Sequence, residues 1–203
     1  MELFLLAILV ASSAWALKAW DQRRRIALLG SHLAKYQIEK HLETLTQGYL
    51  RALGEDDPQR SEPIWNMLRS TEQELRDQFN RFAAAFSRAD EADTRVSKLP
   101  VYLPFAARLL PKLTFDMRQA VAIHARGINR AAEGGGGERS AKAKAFTMSA
   151  ELLLMQHTCH WFCKSKTVAS ARMLARHKTS YEQLVAAVGP ETRKAYCALV
   201  GRG

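Results

Sequence analysis

Two histidines and two cysteines stand within seven residues, in the stretch His157-Thr158-Cys159-His160-Trp161-Phe162-Cys163. Imidazole nitrogens and thiolates are the ligands that zinc and other soft metals take, so a metal or haem site would be sought here first. On a helix at 100° per residue, Cys159, His160 and Cys163 fall within an arc of about 100°, and His157 lies about 60° outside it. Closing a tetrahedral site would therefore need His177, Cys197 or His124 from another element. Neither the Cys-x-x-Cys pair of a zinc site nor the Cys-x-x-Cys-His of attached haem is present. A plainer reading accounts for more of the stretch: Cys159 and Cys163 share a face with Met148, Leu152, Met155 and Phe162 and serve as small core residues. No cofactor is assigned. His157, Cys159, His160 and Cys163 remain candidate metal ligands, with redox sensing as the other use of the thiols.

Other catalytic signatures are missing. There is no Gly-x-Gly-x-x-Gly after a strand, no Gly-x-x-x-x-Gly-Lys, no Gly-x-Ser-x-Gly and no His-Glu-x-x-His. The glycines at 134–137 have neither a preceding strand nor the lysine of a phosphate cradle. The sequence thus points away from an enzyme.

The net charge of +10 is unevenly placed, because residues 100–203 carry 16 basic against 6 acidic side chains. Such a surface favours anionic partners: phospholipid headgroups, an acidic protein or nucleic acid. Arg139, Lys142 and Lys144 cluster at one helix start and Lys164 and Lys166 follow further along, as a candidate basic face. No helix-turn-helix or zinc-finger spacing accompanies it, so nucleic acid is the weaker expectation and membrane-tethered nucleic-acid binding only an alternative. Three cysteines are too few and odd in number for a disulfide framework, which agrees with a reducing compartment.

The elements that must carry these residues begin with Leu3 to Trp20, an apolar run whose only charge is Lys18. Eighteen helical residues rise about 27 Å against a hydrocarbon thickness of roughly 30 Å, so the run is long enough to span a bilayer. Trp15 and Trp20 suit an aromatic belt. Arg23, Arg24 and Arg25 follow the run while only Glu2 precedes it, which orients the N-terminus outside and the rest in the cytoplasm. A cleaved secretory leader with an Ala14-Trp15-Ala16 site is the rival, opposed by the charge lying behind the apolar run rather than ahead of it. A buried helix of a soluble fold is the third reading.

Beyond the span, Asp21 to Leu53 lacks proline, and Ile38, Leu42, Leu45 and Tyr49 recur on one helical face, so the spanning helix is expected to run on as a rod to Leu53. Gly54-Glu55-Asp56-Asp57-Pro58 stops it. Ser61 ahead of Pro63 restarts a helix with an apolar stripe of Ile64, Leu68, Leu75, Phe79, Phe82 and Phe86. Its outer face pairs Glu72 with Arg76 and Asp77 with Arg81 at i,i+4, as a solvated surface. Pro100, Pro104 and Pro111 interrupt an apolar connector over 99–113, expected to pack under the helices. Its alternative use is as an interfacial or partner-binding segment, with Arg108 and Lys112 placed for headgroups.

A helix from Thr114, as N-cap, to Ala132 leads to the glycine tip, and one long helix is expected from Ser140 to His177. Thr179 and Ser180 begin the next helix with a capping-box pattern, Glu182 or Gln183 reaching back, and Gly189-Pro190 precedes a last helix holding Cys197. No alternation of apolar and polar residues signals sheet.

The expectation is an all-α protein: an N-terminal single transmembrane helix over 1–20, continuing into a cytoplasmic bundle of four or five main helices over 21–203, with hairpin tips near 54–61 and 134–138. Its function is expected to be interaction or assembly at a membrane, with a protein partner or a second copy, and with anionic lipid as a further partner.

Overall fold

The computed structural model describes residues 1–102, 109–134 and 140–201. The fold is all-α, with nine α-helices among the described residues: α1 Glu2–Leu33, α2 Ile38–Leu53, α3 Pro58–Phe86, α4 Glu91–Thr94, α5 Met117–Glu133, α6 Ala141–Cys163, α7 Lys166–His177, α8 Tyr181–Ala187 and α9 Pro190–Val200. Two three-residue strands, β1 Arg95–Ser97 and β2 Thr114–Asp116, pair antiparallel with Arg95 opposite Asp116 and Ser97 opposite Thr114. This small ladder was not expected. Three residues are too few to display an alternation, and the pairing partner lies beyond the proline-rich segment.

Helix α3 packs against α2 on one side and α5 on the other, while α6 packs against α5, α7 and α8 and touches α1 and α2. The stripe expected on α3 is the hub of the core: Leu68, Leu75, Phe79, Phe82 and Phe86 are all buried. Phe82 meets Phe79, Phe86 and Tyr36, and Phe86 meets Phe162 of α6 edge-on at 6.3 Å.

The start of α3 is earlier than expected. Asp57, not Ser61, caps it by accepting the Gln59 N–H at 2.9 Å, and Pro63 lies inside the helix. As the sixth residue of the helix, Pro63 removes the hydrogen bond to the Gln59 carbonyl and crowds that carbonyl, yet the helix continues through it. Likewise Asp116 rather than Thr114 caps α5, accepting the Arg118 N–H, while its carboxylate also receives the Arg118 guanidinium at 2.7 and 2.9 Å.

Two long helices are broken where one was expected. The rod stops at Leu33, and residues 34–37 redirect the chain without glycine or proline. There Gln37 N–H is taken by Gln78 Oε1 of α3, and Tyr36 stands edge-on to Phe82. The helix expected from Ser140 to His177 breaks at Lys164-Ser165, where Ser165 caps α7 and Thr167 donates both its N–H and its hydroxyl to the Pro100 carbonyl. The capping box of Ser180 with Gln183 is present as expected. Of the proline connector, residues 103–108, including Pro104, Phe105 and Arg108, lie outside the described residues, as do Gly135 to Arg139 of the glycine tip.

In α1, every side chain from Met1 to Lys18 is exposed, and burial is first complete at Leu29. Residues 3–20 are therefore not the buried core helix of this chain.

The two glycines of this region have opposite surroundings. A Cβ on Gly48 would stand 2.3 Å from Leu68 Cδ2, whereas one on Gly30 would meet nothing. Gly48→Ala is expected to destabilise the fold by about 1–3 kcal/mol through overpacking, and Gly30→Ala to stabilise it by up to about 1 kcal/mol through helix propensity. Thermal unfolding followed by circular dichroism reads both.

Candidate functional site

The histidine and cysteine cluster occupies the last two turns of α6, and the bundle divides it. His157 is fully buried, with Nε2 3.1 Å from Ser170 Oγ of α7 and its ring stacked on Tyr181 of α8 at 4.5 Å. His160 is half-buried, and its pKa is lowered by burial and by Arg172, Arg176 and His177 of α7. The thiols look the other way. Cys159 Sγ lies 3.8 Å from Met155 Sδ, and its thiol is pushed up by burial, then by Cys163 and by Glu39 of α2. Cys163 is pushed up to about 11 by burial, although Arg25 of α1, Lys164 and Arg172 pull it down. Thiolate is the reactive and metal-binding form, and both sites oppose it.

Thus the imidazoles answer to α7 and α8 while the thiols answer chiefly to α1 and α2. His124 and Cys197 do not complete a set with them. Among the described residues no three His, Cys, Asp or Glu side chains converge in a way that could hold a metal ion.

What α6 does assemble is a sealed polar seam with α5, α8 and α9. His124 Nε2 is 3.0 Å from Thr158 Oγ1, which in turn donates to the Leu154 carbonyl and lies 3.1 Å from the Tyr196 hydroxyl. All three side chains are completely buried. His124 is driven down to about 3 by burial and by His157, and so is neutral. Two turns earlier on α6, Glu151 is 1% exposed and accepts the Gly189 N–H at 3.0 Å. Burial raises its pKa to about 7, against the pull of Thr192, Gly189 and Arg130. Gly127 of α5 makes room for it: a Cβ there would stand 2.3 Å from Glu151 Oε2 and 2.5 Å from Thr192 Oγ1. A carboxyl inside the apolar run Met148 to Met155 is the signal that would have found this seam in the sequence.

A second polar cluster removes Glu72 from the solvated face expected on α3, where Asp77 and Arg81 remain exposed. Glu72 is buried, accepts the Tyr49 hydroxyl at 2.5 Å and pairs with Lys144 Nζ at 2.5 Å. Arg76 instead reaches Asp77 and Glu133. Beside Glu72 and Lys144 is an open cavity of about 520 Å³ lined also by Ser61, Trp65 and Arg69.

The cations expected to form one basic face are dispersed. Lys142 is exposed and Lys144 is bound to Glu72 at the start of α6. Lys164 and Lys166, beyond the other end of α6, lie about 30 Å away along the helix. Lys164 Nζ meets Gln22 Oε1 of α1 at 3.0 Å, and Lys166 Nζ stands over the rings of Trp161 and Tyr181. Arg139 lies outside the described residues. Of the arginines after the apolar run, Arg23 is exposed, Arg24 pairs with Asp93 at 2.6 Å, and Arg25 pairs with Asp21 at 2.9 Å above the Phe162 ring.

Against models of known protein families, curated proteins and solved structures, the chain finds no match.

Glu151 supplies a test of the sealed seam. Its folded pKa lies above its unfolded value, so the folded state holds a proton that the unfolded state releases, and stability falls as pH rises from about 4.5 to about 7. His124 acts in the opposite sense, losing stability as pH falls below its unfolded value of 6.5. Glu151→Gln keeps the oxygen that accepts Gly189 N–H and removes only the first effect. The variant should be more stable than the parent at pH 7.5 and no more stable at pH 4.5, read by denaturant midpoints at each pH.

Proposed function

We propose that the chain is a single-pass membrane protein whose helical domain serves as an interaction or assembly component on the cytoplasmic face, without catalytic activity. The contrast inside α1 carries this reading. Leu3, Phe4 and Trp15 are 84%, 69% and 71% exposed, whereas Leu29, in the same unbroken helix, is 5% exposed. The helix is long and apolar enough to cross a membrane, and none of its apolar window is buried among the described residues. Lipid is the environment that removes such a surface from water, at about −0.3 to −0.6 kcal/mol for each Leu, Ile, Val or Phe. A disposable leader is disfavoured because the same helix contributes Leu29 to the core and Gln22, Arg24 and Arg25 to its docking. Arg23, Arg24 and Arg25 at the end of the run support an inside location for the domain by the excess of cations on that side.

The lack of a catalytic role is supported by the seam itself. Among the groups with shifted pKa values, His124 and Glu151 are enclosed and line neither the cavity beside Glu72 nor the cleft at the α1–α2 break between Gly30, Tyr36 and Lys40. A protein partner or a second copy is the class of ligand that a catalytically silent helical surface serves.

Membranes carrying the full chain should retain it through alkaline carbonate extraction. Leu9→Lys with Ser12→Lys, at about 2.5–3.5 kcal/mol for each cation near the helix centre, should shift most of it out of the membrane fraction. Release of the parent chain by carbonate would end the anchor reading. Crosslinking with mass spectrometry on the same membranes should join the domain to another protein or a second copy; crosslinks confined within single chains would end the assembly reading.

A further inference from the structure

Where α1 leaves the bundle, four contacts define which end of the domain faces the span. Asp21, the first residue past Trp20, is close enough to Tyr102 to add to the effect of burial in raising its phenol pKa, and Gln22 meets Lys164. Arg24 pairs with Asp93, and Arg25 donates to the Phe162 carbonyl. Segment 93–100 lies at this end, since Asp93 meets Arg24 and the Pro100 carbonyl meets Thr167, three residues past the Lys164 that meets Gln22. It is held there firmly: Trp161 Nε1 donates to the Ser97 carbonyl at 2.9 Å, and Thr167 donates twice to the Pro100 carbonyl. Just before the return strand, the Leu113 carbonyl accepts the Lys98 N–H at 2.8 Å.

The side chains presented at this end are apolar and uncovered. Val101 is 63% exposed, Leu109 70% and Leu113 45%. Lys112 adjoins them in the chain, Lys98 holds its ammonium beside Gly201 at the end of α9, and Arg23, Lys164 and Lys166 stand at the same end. The carboxylates of this end, Asp21 and Asp93, are each paired with an arginine of α1. Apolar residues bordered by cations, beside a helix exit, match the interface of an anionic bilayer: alkyl side chains enter the headgroup boundary while ammonium groups meet phosphates.

We propose that residues 98–102 and 109–113 form a second membrane contact, a foot that sets the domain down on anionic phospholipid next to the span. The foot rests on the reading of α1 as a transmembrane helix. With it, the domain is held at two points and cannot swing about the α1 exit. The occupant is lipid because the patch lies at the end of the domain from which the apolar helix emerges and shares that end with its flank of cations.

The test uses the full chain reconstituted in vesicles of phosphatidylcholine, with and without phosphatidylglycerol. A benzophenone amino acid replaces one residue at a time at Leu9, Val101, Leu109 and, as the control at the far end of the bundle, Met67. After irradiation, mass spectrometry should find phospholipid adducts at Leu9, Val101 and Leu109 and none at Met67. Phosphatidylglycerol should raise the yield at Leu109 several-fold, and Lys98→Glu with Lys112→Glu should abolish that gain while leaving Leu9 unchanged. Adducts at Leu9 with none at Val101 and Leu109, or a dimer-mass adduct at those positions, would overturn the foot and leave the span intact. Loss of adducts at Leu9 would overturn the span itself.

Discussion

A single backbone ladder serves two environments in α1, and the rest of the architecture is arranged around the point where they meet. Between Lys18 and Leu29 the helix goes from exposed side chains to membership of the core. Over that interval it contains no glycine or proline, so it is stiff where it changes surroundings. Docking is shared among chemically different groups. Arg25 is fixed by Asp21 on its own helix and lies over the Phe162 ring, Gln22 receives Lys164, and His32 stands edge-on to Phe86. Only after these contacts does the chain break at 34–37. The order matters, because a break before Asp21 would have made the apolar segment a leash, whereas a break after Leu33 leaves it rigidly joined to the bundle.

Inside the bundle, the helix interfaces carry buried or half-buried polar clusters in an otherwise apolar lattice. Asn80 and Asn129 exchange amide hydrogen bonds at 2.9 and 3.1 Å between α3 and α5. Tyr49, Glu72 and Lys144 join α2, α3 and α6, and His124, Thr158 and Tyr196 join α5, α6 and α9. Faces made of alanine, leucine and methionine would tolerate sliding by a turn. A slip here would strand a carboxylate or an imidazole without its partner, at a cost of about 1–3 kcal/mol or more for each buried group. The polar seams therefore fix helix register, which accounts for strongly shifted pKa values at residues remote from either cavity.

How far the sequence could be read follows from this division. The α3 stripe was legible because six apolar positions repeat at helical spacing, and all but Ile64 are fully buried. The capping box at Ser180 was legible because its two partners are three residues apart. The breaks at 34–37 and 164–165 were not, since they replace helical bonds with bonds to Gln78 and Pro100, 41 and 67 residues away. Glu72 was misread for the same reason. Its spacing to Arg76 satisfies the rule for a surface pair, but Tyr49 and Lys144 claim it from other helices. The His/Cys stretch was legible as a core segment, while its division between the α7 side and the α1–α2 side required the third dimension.

The dispersal of the basic residues changes what the charge excess can do. A single basic face would have been a uniform attractor for any polyanion, nucleic acid included. Instead Lys144 is neutralised by Glu72 at one end of α6, and Lys164 and Lys166 lie about 30 Å away at the other. That second end is also where Arg23, Lys98 and Lys112 stand and where the local carboxylates are already engaged. On the proposed topology the same cations have two consequences: they oppose translocation of this end across the bilayer, and they attract the anionic leaflet to it once inserted. Both effects act along the axis of α1 and in the same direction, so orientation of the span and seating of the domain reinforce each other.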